Sequence, residues 1–209
     1  MKLLTLSIAS IALSVSCVSY AGDKEVAALS GLLSGLSSYS AGFKQTLKDD
    51  DGEVIERSSG QMAVVNTGKI RWQTEQPFSQ LVVTDGIKLW RYDADLEQAT
   101  VGPFDVDLSK TPAMILSGKV GQLNEQYQVD GGVNAVGTGS FTLKPRSTDS
   151  LFDKLVIDFE GREVTGMTLQ DGFEQSTVIR FNGIKLNPKL ADSMFVFVPP
   201  KGTDVLEDN

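Results

Sequence analysis

Apolar and polar side chains alternate in short runs from Tyr39 onward, and Asp-Gly pairs punctuate those runs. Ala41, Phe43, Gln45 and Leu47 alternate with Gly42, Lys44 and Thr46. The same period returns at Ile70/Trp72, Leu81/Val83, Phe141/Leu143, Leu155/Ile157/Phe159, Met167/Leu169, Thr177/Ile179/Phe181 and Phe195/Phe197. A period of two is the mark of a half-buried strand. Asp-Gly follows or precedes these runs at Asp51, Asp85, Asp130 and Asp171, and Glu160-Gly161 is a close variant. Such pairs between alternating runs are the strongest short-range hairpin signal. Many short strands joined by tight turns predict one antiparallel meander, and a meander this long coils toward an open barrel rather than staying flat.

Two intervals carry helical signals instead. From Asp23 to Ser38, Val26, Leu29, Leu33 and Leu36 fall on one helical face, while Gly31 and Gly35 weaken the helix by about 1 kcal/mol each relative to Ala. Thr111-Pro112 opens a second, shorter helix that runs to Gly118, with Thr as N-cap and Pro at the first helical position. Met114, Ile115 and Leu116 are consecutive, so they cannot share one face and need cover on two sides. Helices placed over the mouth of an incomplete barrel would enclose an apolar space suited to an elongated hydrophobic ligand. Alternation alone does not distinguish a hollow barrel from a filled one. Residues 131–139 read as a glycine-rich loop, and residues 22–209 as a single domain.

The first 21 residues have the form of a secretory signal: Lys2, an apolar stretch from Leu3 to Val18, and small residues at Ser19 and Ala21. Cleavage near Ala21 removes one Lys and no acid, leaving 18 cations against 27 carboxylates, a net charge of −9. That balance, with no basic run, disfavours nucleic acid as a partner. Cys17 is the only cysteine, and Leu13 stands one place too far from it for a lipoprotein signal. Acylation at Cys17 would point instead to a membrane-fixed receptor. The cleaved chain has no cysteine, and the sequence has no histidine. Ser-His-Asp and Cys-His catalysis and a nitrogen/sulfur zinc site are thereby excluded. A carboxylate pair of the glycosidase type stays open. The obvious acidic cluster, Asp49 to Glu53, lacks EF-hand spacing and reads as a solvated hairpin tip, as do Asp93 and Asp95.

Residues 69–112 carry the most specific pattern: two strands, a tight Asp85-Gly86 turn and a third strand, bearing Trp72, Trp90 and Tyr92 with no catalytic group beside them. The ordered set Arg71-Trp72, Pro77, Gln80-Leu81-Val82-Val83, Asp85-Gly86, Leu89-Trp90, Tyr92, Leu96 to Thr100 and Thr111-Pro112 resembles the LolA family of periplasmic outer-membrane lipoprotein carriers. Phe43-Lys44-Gln45-Thr46 before an Asp-Gly hairpin, and Phe195 to Val205 at the end, resemble that family too. The resemblance implies a mainly β (α+β) fold, an incomplete antiparallel half-barrel with a helical lid over an apolar cavity. It implies a non-enzymatic, monomeric chaperone without cofactors. Such a chaperone takes acylated lipoproteins from an inner-membrane ABC-type exporter and hands them to an outer-membrane receptor. It places Ile70, Trp72, Leu81, Val83, Trp90 and Tyr92, with lid residues Met114, Ile115 and Leu116, near the acyl-chain cavity.

One position departs from the family. An arginine followed by proline is expected before the Arg71-Trp72 pair, the arginine latching the lid backbone; here Asn66 and Thr67 stand there. Asparagine lacks the charged fork of arginine. The expectation is a closed state held more weakly, or held by Lys69 or Arg71.

Overall fold

The computed structural model describes residues 21–104, 112–117, 121 and 123–208. The signal segment before Ala21, with Cys17, lies outside them, as do Thr111, Gly118 and the side chain of Met114. Helix α1 spans Ala21–Leu33. Strands β1 (Ser38–Lys48), β2 (Val54–Val65), β3 (Lys69–Gln76), β4 (Gln80–Thr84), β5 (Lys88–Asp93) and β6 (Gln98–Pro103) follow. A 3-10 helix at Pro112–Ser117 and the four-residue α2 (Leu123–Gln126) interrupt the strands. Then come β7 (Tyr127–Val133), β8 (Gly139–Pro145), β9 (Lys154–Glu160), β10 (Glu163–Gln170) and β11 (Ser176–Leu186). A second 3-10 helix at Asp192–Phe195 precedes β12 (Asp204–Glu207).

All twelve strands form one sheet, in the order β12-β6-β5-β4-β3-β2-β1-β11-β10-β9-β8-β7. The expected single meander is therefore two meanders, β1 to β6 and β7 to β11, joined where β1 pairs with β11. Among the described residues antiparallel pairing fails only at β12, which lies parallel to β6 and extends the edge. Strands β12 and β7 do not pair with each other, so the barrel is open, as expected. On one face, called inner below, α1 packs against β7, and the 3-10 lid segment packs against β1, β2 and α1.

Several turns sit where Asp-Gly places them. Asp51-Gly52 joins β1 to β2, Asp85-Gly86 joins β4 to β5, Asp171-Gly172 joins β10 to β11, and Glu160-Gly161 joins β9 to β10. Asp130-Gly131 does not turn: it lies within β7. A Cβ on Gly131 would stand 2.3 Å from the Ser140 carbonyl oxygen, so this glycine permits close strand approach rather than a reversal. The glycine-rich loop consequently shrinks from 131–139 to 134–138. Helix α1 also stops earlier than the apolar spacing predicts, at Leu33 rather than Ser38. Beyond it the Asn187 side chain accepts from the Ser37 N–H at 2.7 Å and the Ser37 hydroxyl at 3.1 Å, and Ser38 already belongs to β1. Phe195 and Phe197 alternate without forming a strand; Phe195 ends the second 3-10 helix.

Candidate functional site

The inner face is built by strand parity. Along β1, Tyr39, Ala41 and Phe43 point inward, and their cross-strand partners Val64 and Met62 continue the face on β2. Register carries it to Ile70 and Trp72 on β3, because Val64 pairs with Ile70 and Met62 with Trp72. Phe43 and Trp72 stack with ring centroids 4.2 Å apart. Tyr39 closes the floor edge-on to Phe181 at 5.7 Å and donates its hydroxyl to the buried Val164 carbonyl at 2.7 Å. Burial, reinforced by the charge of Glu163, pushes the Tyr39 phenol well above its ordinary pKa, so it remains a donor.

The lid segment completes this compartment. Ile115, Leu116 and Ser117 are fully buried, and Ile115 and Leu116 join Ile70, Phe43 and Leu33 in one apolar cluster. Both neighbours in the Ile115-Leu116 pair find cover because strands lie on one side and α1 on the other. At the end of α1, Arg162 donates to the Leu32 carbonyl at 3.5 Å, and its guanidinium lies where a Cβ on Gly35 would stand. The compartment is thus closed over its own side chains. Among the described residues, no three His, Cys, Asp or Glu side chains gather into a group that could hold a metal.

The sequence-predicted residues divide between two faces. Ile70 pairs with Thr84 and Trp72 with Val82, so Leu81 and Val83 share the face of Gln73 and Arg71. Val83 pairs with Trp90 and Leu81 with Tyr92, which puts those rings on the outer face too. There the C-terminal stretch 187–203 covers them as a strap. Phe197 packs on Trp90 at 5.4 Å and on Tyr92 at 5.2 Å, and Phe195 is buried beside this layer. Ile70, Trp72, Ile115 and Leu116 are therefore brought together; Leu81, Val83, Trp90 and Tyr92 are not brought to them. Tyr39, Phe43, Met62 and Val64 join the inner site although the sequence singled out none of them for it. The alternation at 41–47 marked Phe43 as buried, but nothing in it marked which compartment Phe43 faces.

Among the described residues, Lys69 and Arg71 bond the strap rather than the lid. Lys69 Nζ donates to Asp192 Oδ1 at 2.6 Å, and Arg71 Nη1 donates to the Met194 carbonyl at 3.2 Å, so both tie the strap to β3. Asn66 sits exposed in the turn between β2 and β3, and its backbone N–H donates to the Ser37 carbonyl at 2.9 Å. Among the described residues its side chain makes no hydrogen bond. The outer face also carries a groove of about 610 Å³ lined by Lys44, Arg57 and Gln76, outside the apolar compartment.

The family described as "Outer membrane lipoprotein carrier protein LolA" matches residues 34–198, strands β1 to β11 together with most of the strap. The chain belongs to the LolA family. An outer-membrane lipoprotein carrier protein of Hahella chejuensis is 38% identical over 210 residues, covering 100% of this chain and 99% of the relative. One from Pseudomonas entomophila is 40% identical over 198 residues, covering 94% and 95%. Among solved structures, a LolA superfamily protein of Nitrosomonas europaea aligns with a TM-score of 0.50 at 11% identity, covering 84% of this chain and 97% of that one. An uncharacterised conserved protein of Thermus thermophilus aligns with a TM-score of 0.55 at 12% identity, covering 89% and 98%. At those identities the structures speak to the fold alone. The LolA fold here is the open sheet with its inner compartment and lid.

Proposed function

We propose that this LolA-family chain is a periplasmic chaperone, without catalytic activity, that shelters the acyl chains of lipoproteins. It accepts them from an inner-membrane ABC-type exporter and delivers them as a monomer to an outer-membrane receptor. The observation that carries the reading is the inner apolar compartment closed by Ile115 and Leu116 over Ile70 and Phe43. The names of the full-length relatives support the cargo.

The physics suits a shuttle. Burial of a methylene is worth about 0.8 kcal/mol, so a fatty chain of about fifteen methylenes needs about 12 kcal/mol of shelter from water. Apolar contacts without direction supply it. Release requires a competitor for the same surface, and lid residues that pack into the empty site are that competitor. Met114 in the lid suits repacking between the two states. With Asn66 in place of the family arginine, closure rests on apolar packing rather than on a charged latch.

The test is release from membranes. Spheroplasts carrying a radiolabelled triacylated lipoprotein are incubated with the purified, processed protein. Label should leave the membrane in a one-to-one soluble complex, and Ile70→Glu should abolish that release while the protein stays folded. A folded wild-type protein that releases nothing would overturn the reading.

A further inference from the structure

At one end of the sheet every strand connection has a large apolar side chain exposed to water, either in the connection or at the strand end beside it. In sheet order these are Leu96 between β5 and β6, Phe78 between β3 and β4, Ile55 at the β1–β2 hairpin, Phe173 between β10 and β11, and Leu151 between β8 and β9. Their exposures are 71%, 62%, 53%, 83% and 69%. Single exposed apolar residues are ordinary, and the opposite end exposes Ile87 and Val136 at two of its four connections, but a row with a member at every connection of one rim is not scatter. Successive connections stand two strands apart, so the knobs repeat at about 10 Å, the spacing of two strand separations. Folding does not need them: all five lie outside the core, four in connections and Ile55 at the start of β2, and the connections are closed by other groups. Asp171 Oδ1 accepts from Phe173 and Gln175 N–H groups, and Asp93 Oδ1 accepts from Asp95 and Leu96 N–H groups.

Charge decides what can meet this row. The 49–53 tip carries four carboxylates, and the 94–97, 146–153 and 171–175 connections carry two each, against Arg146 alone. The four connections at the opposite end carry one carboxylate, Asp85, and one cation, Arg162. An anionic bilayer is repelled by such a rim, and a neutral one would have to accept a cluster of carboxylates at its interface. A protein surface with shallow apolar pockets set among lysines and arginines complements both the knobs and the charge.

We propose that this acidic, apolar-studded rim is the docking edge for a basic protein partner. The proposal rests on the carrier reading, since the partner is the membrane-bound protein from which the chain takes cargo or to which it gives it. Electrostatic steering brings the rim to its partner, and the knobs hold it there. None of the five rim residues belongs to the apolar cluster that Ile115 and Leu116 join, so docking and cargo shelter use different residues.

The experiment uses the processed chain and two variants. One replaces Ile55, Phe78, Leu96 and Phe173 with Ser; the other replaces Asp50, Asp51 and Asp95 with Lys. Binding of a fluorescent sixteen-carbon fatty acid is read first; its failure in the wild type would bring down the carrier reading by itself. Binding to the purified exporter in nanodiscs and to the purified receptor is read next. The expected result is unaltered fatty-acid binding with affinity for at least one protein lowered ten-fold or more in each variant. Wild-type affinity should also fall as salt rises. Unchanged docking in both variants, or no docking by a wild type that binds the fatty acid, overturns the proposal. So does sedimentation of the wild type, but not the serine variant, with phosphatidylethanolamine–phosphatidylglycerol vesicles, which would make the rim a membrane contact.

Discussion

At the scale of single residues, two polar groups carry more than their number suggests. Tyr39 is fully buried, and its hydroxyl satisfies the Val164 carbonyl beneath the inner compartment. Tyr39→Phe keeps the ring and strands that carbonyl, so urea unfolding should show a loss of about 1–3 kcal/mol, the cost of an unsatisfied buried acceptor. Acyl binding should survive, because the ring still packs against Phe181. Asp85 acts at a turn instead. Hydrogen bonds from the Lys88 and Ile87 N–H groups, the larger causes, hold its pKa below the ordinary 3.8. A folded pKa depressed in this way stabilises the fold above the unfolded value, and the stabilisation fades as pH falls through the folded value. The stability difference between wild type and Asp85→Asn should therefore be present at pH 7 and vanish in acid below the folded pKa. An undiminished difference there, read by denaturant titration, would show that the charge is not what the turn uses.

At the scale of elements, β3 is shared between two covers. Ile70 and Trp72 face the lid, while Lys69 and Arg71 hold the strap. Arg71→Ala should loosen the strap, with faster amide exchange at 194–197 and a modest stability loss of about 1 kcal/mol, and should leave lid exchange unaltered. Asn66→Arg tests the lid: a charged donor restored at the position where the family resemblance expects the latch should slow amide exchange at 115–117 and slow cargo uptake by the same factor. Unchanged exchange would place the latch elsewhere. Which residues are buried was legible in the alternation; which compartment they face was not. Parity holds only within a strand, and the turn at 77–79 resets it, so Ile70 pairs with Thr84 while Val83 looks outward. Reading that reset requires the register, which comes from long-range pairing. The strap was illegible for a related reason: Phe195 and Phe197 keep a period of two without a partner strand, and only the covered Trp90 and Tyr92 explain them. Asp130-Gly131 misled because a glycine needed for close strand approach is spelled like one needed for a turn.

At the scale of the whole molecule, one sheet separates two apolar layers with different tasks. The inner layer is covered by a lid whose own side chains fill it; the outer layer is covered by a strap tied by ions and hydrogen bonds. A carrier needs the first cover to be exchangeable and the second to stay, since the strap continues into β12 and protects the β6 edge. The chain supplies its own reporters for this division, because its two tryptophans lie on opposite faces. Trp72 stacks on Phe43 within reach of the lid; Trp90 packs on Phe197 under the strap. Two single-tryptophan proteins, Trp90→Phe and Trp72→Phe, can be titrated with a fatty acid brominated along its chain, which quenches an indole only at contact. Quenching should saturate in the protein that retains Trp72 and be at least several-fold weaker in the one that retains Trp90. Equal quenching would mean that the ligand reaches the outer layer, and the assignment of Leu81, Val83, Trp90 and Tyr92 to a structural layer would fail. Quenching of Trp90 alone would reverse the two faces and place the cargo under the strap.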